Sequence, residues 1–127
     1  MPKRPDVRVA RIYDPAPPGK TTRVLVDRIW PRGLSKSRAN FNEWCKAVAP
    51  SAGLRTWYAH TPSRFEEFSR RYRAELKAPE QAAALTHLRE LAAQGPLVLL
   101  TATKAVEISQ AAVLADLIAP QGAGGER

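Results

Sequence analysis

The residues of this sequence best suited to chemistry follow a short apolar run and end at a proline and a glycine. Four such side chains follow the run 24–26: Asp27, Arg28, Trp30 and Arg32. A guanidinium group pairs with two oxygens of a phosphate or carboxylate at once, and a glycine such as Gly33 lets the backbone approach a ligand. We therefore predict that this segment binds an anionic group, with Arg32 and Gly33 in closest contact.

Asp27 and His60 are the candidates for proton transfer, because a carboxylate and an imidazole can act as general base and general acid. Each residue also has a purely structural interpretation. Asp27 and Arg28 would form an ion pair or anchor the loop at the strand end, and His60, just before Thr61-Pro62, would be an ordinary loop residue. Trp30 has two interpretations as well, of which core packing is favoured over a stacking platform for a ligand.

Other sequence motifs of catalysis and metal binding are absent from the chain. It has no glycine-rich phosphate loop, no metal-ligand spacing and no Ser-His-Asp signature. Cys45, the single cysteine, can form no internal disulfide, and its place in an apolar stripe predicts an inert core residue. His87 lies between leucines on a helix and is predicted to be a surface residue. We expect no cofactor and no bound metal.

Basic residues are concentrated in the first third of the chain. The net charge is +8, and residues 1–40 hold ten basic and three acidic residues, so the remaining residues add only +1. Such a concentration attracts anions, among them nucleic acids, nucleotides and phosphorylated metabolites. A solvated, arginine-rich surface is the alternative. Further along, the i,i+4 spacing predicts two ion pairs on a helix, Glu66 with Arg70 and Glu67 with Arg71.

The elements that position these residues are indicated by apolar runs, periodicity and stop signals. Strands are predicted over residues 7–13, 22–30 and 97–102. Helices are predicted over residues 41–49, 61–76, 79–94 and 106–118, with a short one after Ser51. The first helix rests on an N-cap at Asn40 and on apolar residues at i, i+3, i+4 and i+7, namely Phe41, Trp44, Cys45 and Val48.

This order of elements predicts an α/β fold: a small three-layer, Rossmann-like sandwich with a short, mainly parallel sheet flanked by helices. Ligands of such sheets bind outside the carboxyl ends of the strands. The segment 27–33 occupies one such end, and Thr101, Thr103 and Lys104 occupy another, so we predict that they share a binding site. Residues 1–119 are expected to form one domain, with a disordered C-terminal tail at 120–127.

No segment approaches the ~20 consecutive apolar residues that span a bilayer. The basic N-terminus lacks the apolar stretch of a signal peptide. We therefore expect a cytoplasmic protein that contacts no membrane. The sequence leaves the oligomeric state open.

Several segments carry a family resemblance, beginning with the motif Val-Leu-Val-Asp-Arg-Ile-Trp-Pro-Arg-Gly-Leu-Ser-Lys at residues 24–36. The others are residues 44–51, 54–55, 68–76 and 111–114. Together they resemble the YeaO-like group of domain-of-unknown-function family 488, over about residues 8–118. The resemblance implies a compact bacterial α/β protein and implies no reaction.

The chain departs from the family's pattern after its last strand. Members of the group have Tyr-Ala-Ala-Arg/Lys-Asp followed by a His-Asn pair at this place. The corresponding residues here are Thr101, Ala102, Thr103, Lys104 and Ala105, then Ile108 and Ser109. The basic residue is kept as Lys104, whereas the carboxylate and the histidine are not. Any acid–base chemistry that those groups perform elsewhere in the family would be lost here.

Three functions stay open at this point. The first is an α/β protein that binds, and in one version transforms, a small anionic ligand resembling a phosphate or nucleotide at the strand ends. The second is a nucleic-acid-binding or regulatory protein that uses the basic N-terminal third. The third is a scaffold without catalysis. Affinity that falls steeply with salt would distinguish the second from the first.

Overall fold

A four-stranded parallel sheet lies at the centre of the computed structural model, which describes residues 6–15, 19–35 and 40–119. Its strands are β1 (Val7–Arg11), β2 (Thr22–Leu25), β3 (Glu43–Trp44) and β4 (Leu97–Thr101). Their spatial order is β1-β4-β2-β3, so β4 is hydrogen-bonded on both sides and β2 lies next to it. The tail predicted at 120–127 lies outside the described residues.

Helices make up most of the remaining described structure. They are α1 (Ala52–Tyr58), α2 (Phe65–Glu75), α3 (Pro79–Gln94) and α4 (Gln110–Ile118). Helices α1 and α4 begin at serine caps, because Ser51 Oγ accepts a hydrogen bond from Leu54 N and Ser109 Oγ accepts one from Ala112 N. A short parallel sheet with helices packed on it confirms the predicted small α/β fold.

The two faces of the sheet are covered by different kinds of structure. One face carries Leu97 and Leu99 of β4 and packs against all four helices in the larger core. The opposite face carries Val98 and Leu100 of the same strand and is covered by side chains of loops and of the edge strand. These covering residues include Leu34, Phe41 and Trp44. Strand β4 is thus buried on both faces, as its continuous apolar run predicts.

The helix predicted over residues 41–49 is wrong. This segment forms the edge strand β3, followed by a 3-10 turn. Cys45 N donates to Leu25 O of β2 at 2.8 Å, which continues the sheet ladder where a helix would need its own hydrogen bonds. The four apolar residues divide between the cores, with Cys45 and Val48 in the larger and Phe41 and Trp44 in the smaller. Burial on two opposite faces therefore outweighs the helical spacing.

The other boundaries shift by several residues. The strand predicted over residues 22–30 ends at Leu25, although Val26 N still donates to Leu100 O at 3.0 Å, so residues 27–33 form a loop. The helix predicted over 106–118 opens with a 3-10 turn, and Ser109 then caps α4. Within the described ranges, no helix combines the length and the apolar character needed to cross a membrane.

Candidate functional site

Asp27 joins the ends of the two neighbouring strands β2 and β4. Leu25 is in register with Leu100, so the chain segments that follow them leave the sheet side by side. Asp27 Oδ2 accepts a hydrogen bond from Ala102 N at 2.8 Å, and Asp27 Oδ1 accepts one from Gln110 Nε2 at 2.6 Å. One carboxyl group thereby holds together the loop after β2, the end of β4 and the start of α4.

Burial raises the pKa of Asp27 above its ordinary value. The hydrogen bonds from Thr101, Ala102 and Gln110 act in the opposite direction, as does the positive charge of Arg55, but burial is the larger effect. Both carboxyl oxygens already accept a hydrogen bond from the protein. These hydrogen bonds make Asp27 an anchor of the site, while each of its oxygens keeps a second lone pair.

A cleft of about 370 Å³ opens above this carboxyl group, and we call it the strand-end cleft. Its lining comprises Asp27, Arg28, Ile29, Trp30, Pro31, Arg32, Arg55, His60, Thr101, Ala102, Thr103 and Gln110. Most residues singled out from the sequence therefore lie in one place, including both candidates for proton transfer. Gly33 and Lys104 do not belong to the lining.

Three arginines surround the cleft, and they differ in how they are held. Arg28 Nε donates to Pro50 O at 2.9 Å, which fixes this side chain while leaving its terminal nitrogens available. Arg32 and Arg55 are exposed. No described residue forms a hydrogen bond or an ion pair with either guanidinium group. Within the described residues neither group has a carboxylate at contact distance, and the charge of Arg55 acts on the carboxyl group of Asp27 from further away.

Hydrogen bonds to its backbone oxygens hold the loop that carries Arg32, so the exposed side chain extends from a fixed Cα position. Tyr13 Oη donates to Arg32 O at 2.8 Å, and Trp30 Nε1 donates to Leu34 O at 2.6 Å. Gly33 has a φ of 80°, which is favourable for glycine and costly for other residues. Gly33 thus shapes the turn beside the cleft, and the close ligand contact predicted for it stays a prediction.

The Trp30 ring packs against other aromatic rings beneath the loop. Its centroid lies 5.7 Å from that of Phe41 and 5.4 Å from that of Trp44. Trp44 Nε1 donates to Asp27 O at 2.7 Å, so the same aromatic group also supports the anchor residue. This packing agrees with the structural interpretation of Trp30, although part of the residue still lines the cleft.

His60 stands on the rim of the cleft in an unusual backbone conformation. Ala59 and His60 have φ values of 47° and 54°, in the left-handed region that residues other than glycine rarely adopt. His60 Nδ1 lies 3.5 Å from Thr103 Oγ1. Ala59 is the left-handed C-cap of α1, a common way for a helix to end, and this turn places His60 at the rim of the cleft.

Two polar residues of the lining, Arg55 and Gln110, were not among the candidates from the sequence. Arg55 lies in α1 and reaches the cleft only because that helix packs beside the strand ends. Gln110 had a usable signal: Ser109 is a good helix cap soon after β4, which places Gln110 at the first position of the next helix. Cys45 and His87 lie elsewhere, Cys45 buried with a thiol whose pKa is raised by burial and His87 paired with Glu43 at 2.8 Å.

Comparison with known proteins places this chain among related sequences. The family model DUF488-N3i, described as the inactive DUF488-N3 subclade, matches residues 6–124. The uncharacterized protein Rv3073c of Mycobacterium tuberculosis (strain H37Rv) is 50% identical over 112 residues, covering 88% of this chain and 92% of the relative. The uncharacterized protein YeaO of Escherichia coli (strain K12) is 37% identical over 111 residues, covering 87% and 95% respectively. No solved structure matches significantly.

Proposed function

We propose that this chain, which belongs to the inactive DUF488-N3 subclade and to the YeaO-like proteins, binds a small anionic ligand in the strand-end cleft without transforming it. The observation that carries the proposal is the pair of exposed guanidinium groups, Arg32 and Arg55, that face one cleft with no partner among the described residues. Arg28 and His60 add further donors on the same rim. A phosphate or carboxylate group is the chemistry that this set of donors recognises.

The size of the cleft supports a small ligand. Its volume of about 370 Å³ falls within the roughly 300–1,000 Å³ of ligand pockets. Its position outside the carboxyl ends of β2 and β4 is the usual place for ligands of open parallel sheets. A cleft of this kind suits a metabolite-sized anion better than an extended nucleic acid backbone, which would need a long basic groove.

Two observations favour binding without catalysis. Both oxygens of Asp27 accept hydrogen bonds, from Ala102 N and from Gln110 Nε2, which gives this carboxyl group a structural role. The residues after β4 also lack the carboxylate and histidine of the pattern that the family resemblance implies, with Ala105 and Ile108 in their places. The subclade's description as inactive agrees with this interpretation. We accordingly assign His60 to ligand contact and Asp27 to anchoring.

We also treat residues 1–119 as one domain. Every described helix packs on the single sheet, and both cores share β4. Limited proteolysis that leaves a stable fragment ending near residue 119 would support this division. Early cleavage between α2 and α3 would argue against it.

The proposal is tested by thermal shift with inorganic phosphate, sulfate, ribose 5-phosphate and a short DNA duplex. A ligand at ~100 times its Kd should add ~2.7 kcal/mol to the free energy of unfolding, which raises Tm by several degrees. Arg32→Ala should remove most of this shift and leave the Tm of the free protein unchanged. Arg71→Ala is the matched control, because it removes the same charge from a helix whose arginines are already paired.

Three outcomes would contradict the proposal. An equal loss of binding in both variants would mean that net charge, not the cleft, attracts the anion. Stabilisation by the duplex alone, fading steeply with salt, would support the nucleic-acid function instead. Absence of any shift across the panel would favour a scaffold.

A further inference from the structure

A second, smaller cavity adjoins the strand-end cleft, and we call it the side cavity. It has a volume of about 130 Å³. Its own lining comprises Pro50, Thr56, Tyr58, Phe68 and Ser109. It shares three further residues with the strand-end cleft: Arg55, His60 and Gln110. A ligand held by the arginines of the cleft can therefore extend past these shared residues into a second compartment.

The side cavity has the size and the wall of a site for one ring. An engineered protein cavity of roughly 150 Å³ takes up a benzene molecule, so about 130 Å³ is close to what a single six-membered ring requires. Tyr58 and Phe68 border the cavity, and their rings stack on each other with centroids 4.2 Å apart, so both side chains are almost fully buried. Tyr58 Oη donates to Ile108 O at 2.7 Å, which fixes the orientation of this ring. A fused two-ring system would exceed this space.

Gln110 lies between the strand-end cleft and the side cavity, and the orientation of its amide group decides which hydrogen-bonding atom a ligand meets there. Gln110 Nε2 donates to Asp27 Oδ1 at 2.6 Å, so the amide oxygen of Gln110 takes no part in this hydrogen bond. Its Oε1 atom is then an acceptor, and no described residue donates to it. The exposed hydroxyl group of Thr56 likewise has no partner in the described part of the chain. A ring that enters the side cavity is favoured if it carries an N–H donor.

Arg55 lines both the strand-end cleft and the side cavity, so it can contact a ligand that extends from one into the other. Its planar guanidinium group can pair with phosphate oxygens and can also stack on a ring. The short α1 helix that carries it starts at the capped Ser51, so the helix itself is well held. The two compartments together fit a molecule that carries both an anionic group and a planar ring.

We propose that the ligand is a pyrimidine nucleoside monophosphate, with its phosphate among Arg28, Arg32 and Arg55 and its ring in the side cavity against Tyr58 and Phe68. An N–H donor of the base, which is the exocyclic 4-amino group in cytosine and N3–H in uracil, meets Gln110 Oε1. This assignment rests on the proposed function, because it uses the same anion-binding arginines. It adds to that function a ring requirement and a preference for one ring over two.

Isothermal titration calorimetry tests the assignment on the full chain with four probes: cytidine 5′-monophosphate, adenosine 5′-monophosphate, ribose 5-phosphate and cytidine. We expect cytidine 5′-monophosphate to bind at least tenfold more tightly than ribose 5-phosphate and than adenosine 5′-monophosphate. Cytidine, which lacks the phosphate, should bind more weakly still. Equal affinity for cytidine 5′-monophosphate and ribose 5-phosphate would overturn the ring assignment and leave anion binding intact. If none of the phosphate compounds binds, both proposals fail.

A variant whose side chain fills the side cavity tests whether the ring of the ligand binds there. Thr56 is exposed on α1 and lines the side cavity, so Thr56→Phe should fold and place a single ring in the cavity. It should lower the affinity for cytidine 5′-monophosphate at least tenfold, to the level of ribose 5-phosphate, and leave ribose 5-phosphate binding unchanged. Thr56→Ser keeps the hydroxyl group and the open cavity and serves as the control. Unchanged binding of cytidine 5′-monophosphate to Thr56→Phe would overturn the assignment, and the wild-type comparison decides it independently of this variant.

Discussion

The arginines of α2 and those of the strand-end cleft have the same charge and very different neighbours. On α2, Arg70 and Arg71 both pair with Glu67, and Arg73 Nη2 lies 2.8 Å from Asp116 Oδ2. At the cleft, Arg32 and Arg55 have no such partner among the described residues. A paired guanidinium group attracts a further anion only weakly, because the adjacent carboxylate cancels most of its field. The basic charge of a chain thus becomes a binding site only where it is left unbalanced.

Two acidic residues of α2, Glu67 and Glu75, also differ in their partners. Glu67 serves the arginines of its own helix, whereas Glu75 reaches across to the cap of α1. Glu75 Oε1 accepts from Ser51 N at 2.9 Å, and Glu75 Oε2 accepts from Ser51 Oγ at 2.6 Å. Because Ser51 begins the helix that carries Arg55, Glu75 supports the cleft from a distance.

The largest effect is expected for Glu75→Ala. It leaves Ser51 without its carboxylate partner and loosens the start of α1, so the free energy of unfolding should fall by about 2 kcal/mol. Glu67→Ala, on the same helix, removes only exposed ion pairs and should cost less than about 1 kcal/mol. Urea unfolding of the two variants measures the difference. Equal losses would mean that the link between α2 and α1 is no stronger than a surface ion pair.

A smaller effect on stability is expected to distinguish Arg28, whose side chain is hydrogen-bonded to Pro50, from Arg32, whose guanidinium group has no hydrogen bond among the described residues. Arg28→Ala removes the hydrogen bond from Nε to Pro50 O and should lower the free energy of unfolding by about 1 kcal/mol. Arg32→Ala removes no such bond and should leave stability unchanged. Both variants should weaken phosphate binding. If Arg32→Ala proves as destabilising as Arg28→Ala, the guanidinium group of Arg32 is not free in solution.

Asp27→Asn tests the anchor through its pH dependence. Because burial raises the pKa of Asp27, the folded protein binds more protons than the unfolded chain between the ordinary pKa and the raised one. Stability from this group is therefore present at low pH and is lost as pH rises through the raised pKa. Asp27→Asn should remove this contribution to the slope and change the stability at neutral pH by no more than about 1 kcal/mol. Unfolding measured from pH 3 to 8 would contradict this if the slopes of the two proteins coincide.

The smallest effect on stability is expected at Ala59, whose left-handed backbone precedes His60 at the rim of the cleft. Ala59 has a φ of 47°, and an L-residue pays about 1–2 kcal/mol in this region, whereas glycine pays mainly through its unfolded-state entropy. Ala59→Gly should therefore raise the free energy of unfolding by about 0.5 kcal/mol. Ala82→Gly, within α3, should instead lower it by about 1 kcal/mol. A loss of stability in Ala59→Gly would show that the left-handed backbone is not the source of strain.

The sequence predicted which polar residues would lie together at the ends of the strands. Parallel strands end at one edge of the sheet, so the polar residues after β2 and after β4 had to lie near each other. Asp27 and Thr101 meet in this way. Their roles in ligand binding stay predictions, as does that of Lys104, which lies outside the lining of the cleft.

The remaining residues of the site could not be found in this way. Arg55 reaches the cleft because α1 packs beside the strand ends, and the sequence of a seven-residue helix does not indicate its neighbours. The segment 41–49 failed for a related reason, since its four apolar residues fit a helix locally while the fold buries them on two faces. Ion pairs within α2 were nearer to prediction: Glu67 with Arg71 was expected, but Arg70 pairs with Glu67 instead of Glu66.

The sequence by itself determined the interactions that act over short stretches of chain. These are the serine cap of α1 and the i,i+4 pair of Glu67 with Arg71, because backbone geometry alone brings such residues together. Tertiary structure decided which charges are balanced. Arg73 finds Asp116 across 43 residues, and Asp27 finds Gln110 across 83. The same packing leaves Arg32 and Arg55 without a hydrogen-bonded or ion-pair partner in the part of the chain that the structure describes, and this depends on distances that only the folded chain defines.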